Sequence, residues 1–295
     1  MNHYFLPGIG IYGGIKVGFQ FAGILNELGV RIVVATPQGL APTWFRSLAP
    51  VVDRDAALAS LGVGDTAFFS LPFDHEPLRR TGARLVFHCQ GTDPAVDPVL
   101  ADRAVTVLTC WAQARDYVIA AGRSPIEVGI SISDCFYYDG TPKHRDMLAY
   151  MPRRGSAIAQ EARASATALA FQPLDNLNEI DVARAMKRSV YYLATSDSEW
   201  FGLPALEAMA AGCVVVTVPV VGGNEYLREG VNCLISPAAK VPSVLATISK
   251  ADAAGQRARL STGAMAMAAR YRSSLQKEAL RTILHKDLGA ALSWT

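Results

Sequence analysis

Cysteine is scarce and shows no pairing pattern. The 295 residues hold five, Cys89, Cys110, Cys135, Cys213 and Cys233, and none lies in a C-x-x-C arrangement. An odd, scattered set argues against a disulfide framework and for buried free thiols in a reducing compartment. Excess charge of one sign is also missing: 28 Lys and Arg face 26 Asp and Glu, a net +2. No field is left to attract nucleic acid. The longest apolar runs, such as 213–221 (CVVVTVPVV), fall far short of the roughly 20 residues that span a bilayer. The N-terminus has no basic segment followed by an apolar core, so no secretory signal is expected. The expected location is the cytoplasm, with at most peripheral contact at the inner face of the membrane. No His, Asp or Cys cluster has metal-ligand spacing, so no metal is expected. Short repeats and low-complexity segments are absent too.

What is present is apolar and regularly punctuated. Hydrophobic residues make up 51% of the chain and charged ones 18%, which excludes disorder as the main state. The length suits two compact domains. Short β-branched runs at 3–6, 31–36, 66–71, 84–88 and 105–109 read as strands, and their near-continuous apolar character is that of strands buried on both faces of a parallel sheet. Helices are expected at 15–28 and 112–121, each stopped by a glycine, Gly29 and Gly122. The second half repeats this grammar, with strands at 147–151, 168–172, 190–195, 213–218 and 232–235. Its helices are expected at 156–166, 179–188, 204–211, 241–252, 254–270 and 272–284. Such alternation implies an α/β fold of two doubly wound, Rossmann-like parallel-sheet domains. The turn-rich stretch 131–144 reads as the crossing between them. The expected boundaries are 1–135, 136–280 and a C-terminal helix or tail, 281–295, packing back on the first domain.

Ligands of open parallel sheets sit beyond the carboxyl ends of the strands, so the loops there carry the functional signal. After strand 190–195 comes SDSEWFGLPALEAMAAG, then strand 213–218 and the loop GGNEYL. Pro204 suits the first residue of a helix, Gly212 its end, and Asn224 or Glu225 the cap of a following short helix. Glu199 then lies in the loop, Glu207 one turn into the helix, and the Phe201-Gly202 peptides at its entrance, where free N–H groups favour an anion. Gly222 and Gly223 would let a ligand approach the backbone. Two carboxylates that accept hydroxyls, beside N–H groups suited to a pyrophosphate, fit a nucleotide sugar. The plainer alternative is that both glutamates are solvated helix-start carboxylates favoured by the helix dipole.

The run Glu199, Phe201, Gly202, Leu203, Pro204, Glu207, Ala208, Met209, Ala210, Gly212, then Gly222, Gly223, Glu225, Gly230 and Asn232 resembles the retaining glycosyltransferases of family 4 (glycosyl transferases group 1). The resemblance implies a GT-B fold, with two domains facing a cleft. By it, Glu199 and the peptide groups of Phe201, Gly202 and Leu203 hold hydroxyls of a donor sugar, and Glu207 holds the ribose diol. Glu199 is also a candidate catalytic residue.

The first half opens with a decoy. Residues 8–13 (GIGIYG) spell the G-x-G-x-x-G dinucleotide fingerprint, but strand 31–36 ends in Ala35-Thr36-Pro37 without the acidic residue that would bind a ribose. The resemblance instead makes Tyr12, Gly13 and Gly14 the glycine-rich loop that approaches donor phosphates or acceptor. It also makes His88, at the end of strand 84–88, a candidate catalytic residue at the donor sugar, against the reading of a hydrogen-bonded structural histidine. Asp93, in the next loop, could face the acceptor. By the resemblance, Arg153 and Arg154, which follow strand 147–151, clamp the diphosphate, to which guanidinium forks are suited, with Lys143 or Lys187 as the accompanying lysine; the plainer alternative is a solvated basic loop. Trp44 and Phe45 are either packed or part of an acceptor or membrane-facing loop.

The resulting expectation is a retaining hexosyl- or glycosyltransferase. It would move sugar from a nucleotide diphosphate sugar to a hydroxyl of a glycan, lipid-linked or small-molecule acceptor, in polysaccharide or glycoconjugate biosynthesis. It would use no cofactor besides the donor substrate. The alternatives are a non-catalytic binding or scaffold protein derived from the fold, or another nucleotide-sugar enzyme such as an epimerase.

Overall fold

The computed structural model describes residues 1–153, 155–222, 225–289 and 292. The chain divides into two units, Met1–Ser131 with Ser273–Thr295, and Ile132–Arg272. Sequence reading set these boundaries at 135 and 280.

The first unit holds strands β1 (Asn2–Phe5), β2 (Ile32–Thr36), β3 (Val51–Asp53), β4 (Thr66–Phe69), β5 (Arg84–Cys89), β6 (Thr106–Thr109) and β7 (Ile126–Glu127). They form one sheet in the order β3-β2-β1-β4-β5-β6-β7, every pair parallel. Parallel neighbours need crossover connections, which are helices α1 (Gly13–Glu27), α2 (Arg54–Ser60), α3 (His75–Arg79), α4 (Asp97–Ala101) and α5 (Ala112–Ala120). The apolar strands are covered on both faces. One cluster joins Tyr4, Val34, Phe68 and Val86 to Phe19, Phe21 and Leu25 of α1, and the other joins Phe5, Phe69, Phe87 and Val107 to Ala57, Leu78, Leu100 and Val118.

The second unit holds β8 (His144–Tyr150), β9 (Ala170–Pro173), β10 (Ser189–Ala194), β11 (Val214–Thr217) and β12 (Leu234–Ile235), with α6 (Ser156–Ser165), α7 (Glu179–Arg188), α8 (Leu203–Ala210), α9 (Val241–Ile248) and α10 (Ala254–Ala268). Its sheet order is β12-β11-β10-β8-β9, again parallel throughout. Helix α11 (Ser273–Ile283) returns to the first unit.

Every strand read from the sequence is present, and every helix but the short one expected after Asn224 or Glu225, with ends moved by a few residues. Other elements had no sequence signal: β3, β7 and the short helices α2, α3 and α4. The helix expected at 241–252 stops at Ile248. No helix forms in 225–232, where a helix capped by Asn224 or Glu225 was expected; the segment turns back on itself.

In each unit the strand order reverses at one point, between β1 and β4 and between β8 and β10. Crossovers leave that point in opposite directions, which opens a crevice beyond the carboxyl ends of the strands. The glycine-rich loop follows β1, and the Arg153 and Glu199 loops follow β8 and β10.

Candidate donor site

In the second unit, the turn into α8 is built around Gly202. Its φ of 80° and ψ of 51° are left-handed, a conformation that costs glycine little and other residues much. Pro204 takes the second helical position, where its missing N–H loses no intrahelical bond. Ala205 N–H donates to the Gly202 carbonyl at 3.1 Å. Leu203 N–H therefore remains as the outward donor of this first turn.

Glu207 lies in the second turn of α8 and is only 5% exposed. Glu199 is partly exposed in the loop before the helix, and Arg153 is exposed after β8, its Nε 3.7 Å from Asp175. One phenol reports on all three. Burial raises Tyr192 well above the usual phenol range, Glu207 and Glu199 push it further, and Arg153 opposes them. The two glutamates and the arginine thus all lie near enough to the Tyr192 ring, on β10, for their charges to reach it. Arg154 and Gly223, both expected at this edge, lie outside the described residues, as does Asn224.

Gly222 has a role that the sequence did not show. Gly222 N–H donates to the Glu199 carbonyl at 2.9 Å, and Val221 N–H to that of Asp197 at 3.2 Å. A β-carbon at Gly222 would lie 1.4 Å from the Trp200 carbonyl oxygen. The close approach at Gly222 is therefore the chain's own, and it braces the loop that carries Glu199. Asn232, buried, donates Nδ2–H to the Tyr226 carbonyl (2.7 Å) and accepts from Arg228 N–H (2.8 Å), so the G-x-N element ties down the 226–232 turn. Two tyrosines went unnoticed in the sequence. The Tyr226 hydroxyl donates to the Gly202 carbonyl at 2.7 Å, and the Tyr271 hydroxyl donates to Glu225 Oε1 at 3.1 Å. Both rings pack on Phe201. Neither was legible because their partners are distant in sequence.

Neither candidate lysine stands at this edge. Lys143 Nζ donates to the carbonyls of Lys187, Ser189 and Ala211 at 2.8–3.0 Å, next to the first residues of β8 and β10, at the opposite end of the sheet. Lys187 pairs there with Asp139 at 2.9 Å. Both are structural cations.

In the first unit, Gly13 and Gly14 are exposed in the first turn of α1. Ile15 and Lys16 N–H both point to the Tyr12 carbonyl, which leaves the two glycine N–H groups as the unbonded donors of the turn. His88 sits differently from the expected sugar contact. It is fully buried, with Nδ1 2.8 Å from the Tyr4 hydroxyl and Nε2 2.8 Å from Cys110 Sγ. A neutral ring satisfies both: the phenol donates to Nδ1 and Nε2–H to sulfur, or Nδ1–H donates to the phenol oxygen and the thiol to Nε2. Burial holds its pKa down at about 3. This is the structural-histidine geometry. Asp93 accepts from Ala95 N–H at 2.8 Å as a helix cap. Trp44 donates Nε1–H to the Ile9 carbonyl at 3.0 Å, and Phe45 is buried against Phe19, so this pair is packed.

Among the described residues no group of three or more His, Cys, Asp or Glu is placed to hold a metal ion. None of their helices is long and apolar enough to cross a membrane.

Comparison with known proteins agrees with this geometry. The family model described as Glycosyl transferases group 1 matches residues 155–251, about a third of the chain. A protein described as a glycosyltransferase, ORF330 of Acidianus filamentous virus 2, is 43% identical over 56 residues, 19% of this chain and 17% of that protein; the match therefore spans about a sixth of that relative. Over the whole fold, sucrose-phosphate synthase from Thermosynechococcus elongatus superposes with a TM-score of 0.73 at 12% identity, covering 98% of this chain and 99% of that one. HepE from Anabaena, in complex with UDP and glucose, gives 0.71 at 15% identity, covering 97% and 99%. The pneumococcal O-GlcNAc transferase GtfA, in complex with UDP and GlcNAc, gives 0.60 at 15%, covering 78% and 59%. The fold is that of the GT-B glycosyltransferases, two Rossmann-like parallel-sheet domains. The second unit matches a glycosyl transferases group 1 domain, and together these likenesses support a glycosyltransferase family.

Proposed function

We propose that the protein is a glycosyltransferase that moves a sugar from a nucleotide diphosphate sugar to an acceptor hydroxyl with retention of configuration, in glycan or glycoconjugate biosynthesis. The observation that carries this reading is the placement of Glu199 and Glu207 on either side of the Gly202 turn, with Leu203 N–H free between them. Glu207 holds the ribose diol. Glu199 and the peptides of Phe201, Gly202 and Leu203 hold hydroxyls of the donor sugar. Arg153, with Arg154, holds the diphosphate, and Gly13 and Gly14 present two N–H groups of the kind that suit an anion. None of these groups is asked to form a covalent intermediate. Catalysis then rests on holding donor and acceptor in reacting geometry and stabilising the departing diphosphate. Two of the solved neighbours hold UDP, which makes UDP-sugars the first donors to try.

The test is thermal unfolding with UDP, GDP, ADP, dTDP, their sugars, NAD and NADP. A ligand at about 100 times its dissociation constant stabilises by roughly 2.7 kcal/mol. One nucleoside diphosphate should raise the Tm of the wild type, and Glu207→Ala should lose most of that shift, because a charge-assisted hydrogen bond contributes about 1.5–3 kcal/mol. A shift with NAD or NADP alone would return the glycine fingerprint to first place. No shift with any ligand would favour a non-catalytic scaffold.

A further inference from the structure

The free N–H at the entrance of α8 belongs to a peptide that needs holding. The plane between Gly202 and Leu203 carries the Gly202 carbonyl on one side and Leu203 N–H on the other, because the peptide is trans and planar. Whatever fixes the carbonyl therefore aims the N–H. Glycine's own backbone does not fix it, since glycine populates left- and right-handed regions with similar ease. The carbonyl has two partners, Ala205 N–H inside the helix at 3.1 Å and the Tyr226 hydroxyl from outside it at 2.7 Å.

We propose that Tyr226 is a positioning residue of the donor site: by donating to the Gly202 carbonyl, its hydroxyl points Leu203 N–H at the nucleotide sugar. The role rests on the reading of the preceding section. Three observations support it. The residue is itself held, since its carbonyl accepts from Asn232 Nδ2–H at 2.7 Å and its ring packs between Phe201 at 5.4 Å and Tyr271 at 6.3 Å. The fit around the hydroxyl is close: a β-carbon at Gly202 would lie 2.9 Å from it. Finally, burial, with the Glu199 charge nearby, holds the phenol well above its ordinary pKa, so it remains a donor across the working pH range.

The experiment uses the full chain and the sugar conjugate of the nucleoside diphosphate that stabilises the wild type, UDP-glucose first, with affinity measured by calorimetry. Tyr226→Phe keeps the ring and removes the donor, and it should weaken binding roughly three- to tenfold, the worth of one hydrogen bond. Placing 4-aminophenylalanine at position 226 restores a donor and should recover affinity. Tyr137→Phe is the control, because the Tyr137 hydroxyl also donates to a backbone carbonyl, that of Ala268 at 2.9 Å. It should cost comparable stability and leave nucleotide affinity unchanged. The role is overturned if Tyr226→Phe binds as the wild type does, if the amino variant fails to recover affinity, or if Tyr137→Phe weakens binding equally. Should Tyr226→Phe fail to fold, 3-fluorotyrosine at 226, a stronger donor of nearly the same shape, takes its place: tighter binding is expected, and unchanged binding overturns the role. A wild type that binds no nucleoside diphosphate defeats the donor-site reading itself, and the role of Tyr226 with it.

Discussion

At the scale of single residues, His88 offers a test by pH. Its folded pKa is held down to about 3 by burial, against about 6.5 in an unfolded chain. The unfolded state therefore binds an extra proton below pH 6.5. The stability that neutral His88 contributes is complete above that pH and is lost as pH falls toward 3, at about 1.4 kcal/mol per unit. Between pH 7 and 5 the wild type should lose about 2 kcal/mol more than His88→Gln in denaturant unfolding followed at both pH values. Equal losses would mean that the folded ring titrates in contact with solvent, and a substrate contact would again be open to it. The sequence placed His88 at a strand end but not in a core, because the groups that enclose it, Tyr4 and Cys110, stand 84 and 22 residues away. The glutamates were easier to read. Glu199 and Glu207 belong to one loop and the helix it enters, so their spacing along the chain already set their spacing in space. Tyr226 reaches the same turn from 24 residues away, and nothing local marks it.

At the scale of elements, two helical glycines make opposite predictions. Gly23 lies inside α1, and a β-carbon there would meet nothing within 4 Å. Gly23→Ala should stabilise by about 0.5–1 kcal/mol, the usual helix propensity difference. Gly263 lies inside α10, and a β-carbon there would come 2.2 Å from the Val231 carbonyl oxygen. Propensity alone would favour Gly263→Ala by the same amount, but the collision is with backbone and cannot be relieved by a rotamer change. The expected outcome is a destabilisation of about 1–3 kcal/mol, as for other overpacked sites. Chemical denaturation of the two variants beside the wild type checks both signs, and a stabilised Gly263→Ala would contradict the packing of α10 on the 226–232 turn. The same contrast explains what was legible among the elements. Long apolar periods such as α1 and runs such as β10 announce themselves. A strand of three residues such as β3, or two such as β7, has no period, and exists because a neighbouring strand edge offers it hydrogen bonds.

At the scale of the molecule, the first unit is discontinuous in sequence: its fold is completed by residues that follow the second unit. Leu280, Leu284, Leu288 and Leu292 are buried in the same cluster as Phe19, Phe21 and Leu25 of α1. Gln276 donates Nε2–H to the carbonyls of Val128 (3.1 Å) and Gly129 (2.9 Å) and accepts from Ser131 Oγ at 2.6 Å, while Lys277 pairs with Glu27 at 2.7 Å. Four buried leucines at about 1.5–3 kcal/mol each are worth as much as the whole stability of a typical domain, about 5–15 kcal/mol. The ion pair is surface-exposed and adds at most about 1 kcal/mol, so the leucines decide the outcome. A chain ending at Arg272 should therefore lose the cooperative unfolding of the first unit and expose its apolar core to a hydrophobic dye. Residues 132–272 alone, continuous in sequence and with their own sheet and core, should still melt cooperatively. Adding a peptide of residues 273–295 to the truncated chain should restore part of the lost transition. A truncated chain that melts as the full one does would show that the first unit is complete without its returning helix.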